Sequence, residues 1–129
     1  MKAGLPFWKN GRPDSEVFEM PVRMSKEWIA LTPESVQRLS GQLGVYQIQD
    51  PSGQVVCIGY AGGRSLFGLR GELERELTRR GAGYSFRCEV TMQYMTRYKE
   101  LLMVHAADHG ELPTENRKAP PQLGRMHPA

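Results

Sequence analysis

The chain has 129 residues, with 17 lysines and arginines against 14 acidic residues and a formal charge of +3. That length supports one hydrophobic core rather than two. A composition 40% apolar and 24% charged is that of an ordinary globular domain, and no apolar run is long enough to cross a bilayer.

Residues 1–24 mix glycine, proline and charge without a period, so an irregular N-terminal arm is expected, with Phe7, Trp8 and Phe18 available to dock on the core. This stretch has no continuous apolar h-region, so no secretory signal is expected. Ser25 suits the cap of a short turn carrying Trp28 and Ile29. Thr32-Pro33-Glu34-Ser35 is a helix start, with a threonine cap, proline at the first position and acid in the first turn. Val36 and Leu39 should face inward, and Gly41 should stop that helix. Gly44 to Ile48 alternates apolar and polar residues and runs into the turn Asp50-Pro51-Ser52-Gly53. Gln54 to Gly59 reads as a more buried strand, which makes an antiparallel hairpin. A glycine-rich connection, Tyr60 to Ser65, leads into a helix from Leu66 to about Arg80. Tyr84 to Met92 alternates again as a third strand, and Thr96 to His109 forms the next helix, closed by Gly110.

The order implies an α/β domain over residues 25–116: a small three-stranded antiparallel sheet flanked by helices. Residues 117–129 are basic and proline-rich and are expected to be disordered. Cys57 and Cys88 are too few for a disulfide scaffold and lack zinc-site spacing. They read as free, buried thiols, and a cytoplasmic location is expected. The mild basicity permits a phosphate-bearing partner without requiring one.

Charges that interrupt an apolar stripe are the first candidates for a site. Leu66, Leu69, Leu73 and Leu77 have core-facing helical spacing, and Arg70 lies about 40° from Leu66 at 100° per residue. A permanent cation there needs either a reach to solvent or an anionic partner. In the later helix, Tyr98, Leu101, Leu102 and His105 form one stripe, while Met103, Val104 and Ala107 form another. That helix should therefore be buried nearly all round. Glu100 sits in the second set, and a buried carboxylate must be paired, protonated or holding a metal.

Taken together, Gly44-Val45-Tyr46, Cys57-Ile58-Gly59, Arg70 within Leu69-Arg70-Gly71, Glu100 within Glu100-Leu101-Leu102, and Pro113-Thr114-Glu115-Asn116 resemble the GIY-YIG nuclease superfamily in order and spacing. The resemblance covers Gly41 to Asn116. It implies a metal-dependent endonuclease that hydrolyses DNA phosphodiester bonds. In such an enzyme Glu100 would hold a magnesium or manganese ion, completed by waters. Arg70 would grip a phosphate oxygen, Tyr46 would orient or deprotonate the attacking water, and Asn116 would fix a substrate phosphate or the metal's surroundings. The chain departs from the family pattern in four places. Cys57 stands where the second motif has tyrosine, Tyr60 where many relatives have lysine, and Glu74 where a second tyrosine is common; the 60–65 loop is also longer.

Tyr60 and Arg64 are further substrate-binding candidates. The ring could fill the place Cys57 leaves vacant, and the loop amides from Gly59 to Ser65 could cradle a phosphate. His105 and His109 have a zinc-compatible spacing, but Ala106 replaces the glutamate of a protease-type zinc helix, so two ordinary helix histidines are expected. Two functions follow: the endonuclease, or a catalytically inactive module of the same fold that binds nucleic acid, a nucleotide or a protein. DNA is the expected partner; no membrane contact is expected, and the oligomeric state is not specified.

Overall fold

The structure is a computed structural model and describes residues 23–118. Its elements are β1 (Ile29–Ala30), α1 (Pro33–Gln37), β2 (Gly44–Gln49), β3 (Val55–Ala61), α2 (Gly68–Arg79), β4 (Ser85–Val90), α3 (Tyr94–His109) and α4 (Thr114–Lys118). The four strands form one antiparallel sheet in the order β1-β4-β2-β3. The sheet therefore has four strands rather than three. Ile29 and Ala30 pair with Phe86 and Ser85 instead of forming the expected turn. Two residues are too few to show an alternation, so only the partner strand reveals them.

Strand alternation divides the fold into two layers of contact. Tyr46 and Ile48 of β2, with Ala61 and Phe86, face α1 and α2 and pack on Leu31, Val36, Leu69 and Leu73. Val45 and Ile58 face the other way and pack on Leu101 and Leu102 of α3, with Met24. Leu73 and Leu102 are both completely buried, a contribution of about 1.5–3 kcal/mol each. Helices α2 and α3 thus lie on opposite faces of the sheet.

Helix α1 begins as expected: Thr32 and Ser35 form a reciprocal capping box with proline in the first turn. Helix α2 begins two residues later than expected. Gly68 has φ +60, and a Cβ there would lie 2.1 Å from the Gly41 carbonyl oxygen. That close approach and left-handed step keep Leu66 and Phe67 outside the helix. They are 89% and 63% exposed, so Leu66 does not join the core stripe.

Helix α3 is buried on one side only. Leu101 and Leu102 are sealed, while Met103 is 61% exposed. The sheet occupies one side of this helix, and among the described residues nothing covers the other. At the N-terminal boundary, Arg23 and the 3%-exposed Met24 already belong to the packed domain. At the other end, Arg117 and Lys118 are in α4. Phe7, Trp8, Phe18 and the rest of the tail lie outside the described residues. Among the described residues no helix is long and apolar enough to cross a membrane.

Candidate functional site

Tyr46 is 5% exposed, and its ring crosses β3 at Gly59, its cross-strand partner. A Cβ on Gly59 would come within 2.4 Å of both Cζ and Oη of that ring. The glycine of the second motif therefore supplies the passage by which the phenol reaches α2. There Tyr46 Oη donates to Glu76 Oε2 at 2.9 Å.

Glu76 is the hub of a buried polar network. Its Oε1 accepts from Arg80 Nε at 2.9 Å and pairs with Arg79 Nη2 at 3.1 Å. Arg80, whose side chain is only 3% exposed, also donates from Nη1 and Nη2 to the two oxygens of Glu115 at 2.7 and 2.6 Å. The guanidinium lies 5.3 Å from the centre of the Tyr84 ring. This bidentate grip is strong and directional. Burial works to lower the Arg80 pKa, and the Glu115 and Glu76 carboxylates outweigh it, so the net shift is upward. The hydrogen bond from Arg80 in turn holds the Glu115 carboxyl below its ordinary value.

Burial, reinforced by the Glu76 carboxylate, pushes the Tyr46 phenol far above its ordinary pKa. Burial followed by Glu76 likewise raises the Cys57 thiol to about 12. Neither group is ionised at neutral pH, and Tyr46 has spent its proton on an internal acceptor. The pair that the motifs bring together is a sealed tyrosine beside an inert thiol.

Asn116 acts on the backbone. Its Oδ1 accepts from Ile58 N at 2.9 Å and its Nδ2 donates to Ile58 O at 3.0 Å. It thereby satisfies the outer edge of β3, the terminal strand, as another strand would. With Glu115 on Arg80 and Pro113 buried, the amide fastens α4 over that edge.

Arg70 and Glu100 are elsewhere. Arg70 is exposed and has no ion pair or side-chain hydrogen bond among the described residues. Its 40° relation to Leu66 presumes that Leu66 is helical. With α2 starting at Gly68, Leu66 no longer flanks Arg70, which stays at the edge of the stripe near the helix start with its side chain exposed. Glu100 is on the outer side of α3, about 150° from the midpoint of Leu101 and Leu102. Its carboxylate accepts from Arg97 Nη1 at 2.5 Å, and Arg97 also donates to Glu89 at 3.0 Å. Tyr46 faces α2 and Glu100 lies beyond α3, so the sheet separates them.

At Glu100 the divalent ion that the resemblance implies would have to compete with a guanidinium. Arg97 takes one of the carboxylate's two oxygens, and among the described residues no three His, Cys, Asp or Glu side chains gather as a ligand group. His105 and His109 have ring centres 4.3 Å apart, with His105 Nδ1 3.1 Å from Glu111 O. A third ligand would have to come from Glu115 or from the tail; Glu115 is held by Arg79 and Arg80, and the tail beyond Lys118 lies outside the described residues.

Tyr60 and Arg64 do come together. They line an open cleft of about 390 Å³ with Tyr94, Arg75 and Glu72. Tyr60 is 38% exposed, its ring stacked on Tyr94 at 5.8 Å and edge-on to Tyr98 at 4.9 Å. Arg64 has no carboxylate partner among the described residues, and the well-exposed Arg75 meets Glu72 at 2.7 Å. Two loop amides proposed as a phosphate cradle are already used: Gly62 N donates to Ser65 Oγ and Gly63 N to Tyr94 Oη, each at 3.1 Å. Phosphate recognition in this cleft would fall to the arginines.

Glu76 and Arg80 were not among the sequence candidates, and Glu115 was one only as a third zinc ligand, although the first two carried a signal. Glu76 and Arg80 fall about 20° either side of Leu69 on the wheel, with opposite charges four residues apart. Glu115 carried none, because its partners are 35 and 36 residues away.

A family model described as Domain of unknown function (DUF7508) matches residues 20–108. No curated protein and no solved structure matches the chain.

Proposed function

We propose that this chain, which belongs to the DUF7508 family, is a GIY-YIG-like module that binds nucleic acid without cutting it. The observation that carries the reading is the Tyr60–Arg64 cleft, lined by a part-exposed aromatic ring and by a guanidinium that no carboxylate among the described residues neutralises. Exposed rings accept stacked bases regardless of sequence, and arginine forks accept phosphate oxygens. The absence of cutting is supported by the position of Tyr46, whose hydroxyl is bonded to Glu76 inside the protein, and of Glu100, bonded to Arg97 on the other side of the sheet.

The test is titration of a labelled oligonucleotide at two salt concentrations, with a magnesium- or manganese-supplemented plasmid-nicking assay in parallel. If Arg64 and Arg75 each contact one phosphate, raising salt from about 50 to about 200 mM weakens binding about sevenfold for single strands and about twelvefold for duplex. Arg64→Ala should weaken binding and flatten that salt dependence. No binding at low salt would refute the proposal. Metal-stimulated nicking lost in Glu100→Ala would replace it with the endonuclease.

A further inference from the structure

The outer side of α3 is an apolar face with nothing on it among the described residues. Met103, 61% exposed, joins Val104, Ala107, Thr96, Lys99 and Glu100 around a shallow depression of about 600 Å³. A face of this kind is a common mark of something that covers it.

Where the chain enters the fold indicates the occupant. Arg23, the first described residue, donates from Nε and Nη2 to the two Asp108 oxygens at 2.8 and 2.6 Å. Met24 beside it is packed with Leu101 and Leu102. Arg23 and Val104 line one small cavity, and Val104 also lines the apolar depression. Arg23 therefore stands at the rim of that face.

The composition of the preceding segment suits the face. Residues 15–22 read SEVFEMPV, with Val17, Phe18, Met20 and Val22 apolar and Glu16 and Glu19 between them. Lys99, on the rim, has no carboxylate partner among the described residues, whereas Glu100 is taken by Arg97. Length is sufficient too. Eight extended residues span about 26 Å, while α3 from Thr96 to Ala107 rises about 17 Å. A segment tethered at the rim has an effective concentration in the millimolar range, well above that of a free partner.

We propose that residues 15–22 fold back over the outer face of α3 and seat Phe18 against Met103 and Val104, so that this face is covered from within the same chain. Hydrogen exchange on the full chain, read by mass spectrometry, tests this. Amides of 15–22 should exchange at least tenfold more slowly than an unstructured peptide of the same sequence. Met103→Lys should return them to unstructured rates while β2 stays protected, and Phe18→Ser should do the same. Met103 is mostly exposed, so its substitution leaves the fold intact. Unprotected 15–22 amides in the wild type, or protection indifferent to Met103→Lys, would overturn the proposal. Protection that fades on dilution together with a dimeric mass would overturn it in favour of a second copy.

Discussion

Replacing Tyr46 with phenylalanine removes one oxygen and leaves the ring lying across Gly59. The lost hydroxyl is buried and donates to Glu76 Oε2 at 2.9 Å. A hydrogen bond to a charged group contributes about 1.5–3 kcal/mol, and the carboxylate oxygen left behind is buried. Glu76 Oε1 keeps its arginines, so the network should loosen rather than collapse. We expect a loss of about 2 kcal/mol, or roughly 8–16 °C in Tm for a domain of this size. Urea unfolding followed by far-UV circular dichroism measures it, with the slope unchanged. Glu76→Gln and the double variant complete a cycle whose coupling should reach about 1 kcal/mol. A phenol reserved for substrate would contribute nothing to folding. A Tyr46→Phe protein within about 0.5 kcal/mol of wild type, or strict additivity in the cycle, would refute the buried-network reasoning.

Two further outcomes follow from the same network. Asn116→Ala removes both hydrogen bonds to Ile58 and should cost about 2 kcal/mol, with faster amide exchange at Ile58; unchanged exchange there would mean that α4 is not held by this side chain. Alkaline pH should destabilise the fold. Burial pushes the folded Cys57 thiol up to about 12 from its ordinary 9.0, and raises the Tyr46 phenol above its ordinary 10.0. For both, the neutral form is favoured by folding, so their contribution is complete below pH 9 and is lost as the unfolded chain deprotonates first. The decline approaches about 1.4 kcal/mol per pH unit for each group. Cys57→Ala should flatten the portion that begins near pH 9, as read from urea midpoints at about pH 8 and about pH 10.5; an unaltered slope would count against the buried thiol.

The local elements were largely legible. Thr32-Pro33-Glu34-Ser35 announces its helix because a capping box is written in four adjacent residues. The alternation around Tyr46 announces β2 because side-chain direction repeats every two residues. The late start of α2 was not legible, since it depends on Gly68 meeting the Gly41 carbonyl across another loop. That contact also took Leu66 out of the stripe. The exposed side of α3 was misjudged for a related reason: apolar residues around a helix state what could be buried, not what is present to bury it.

From the sequence alone came the α/β class, the hairpin, the helices α1, α2 and α3 to within a few residues, and the proximity of Tyr60 to Arg64, with Tyr60 at the end of β3 rather than in the loop. Tertiary structure alone decided which polar groups distant in the chain meet. Tyr46 finds Glu76 across 30 positions, and Asn116 finds Ile58 across 58. Such meetings depend on strand register, on which sheet face each helix covers and on where each helix begins. Periodicity along the chain encodes direction locally, and it does not encode distance between elements.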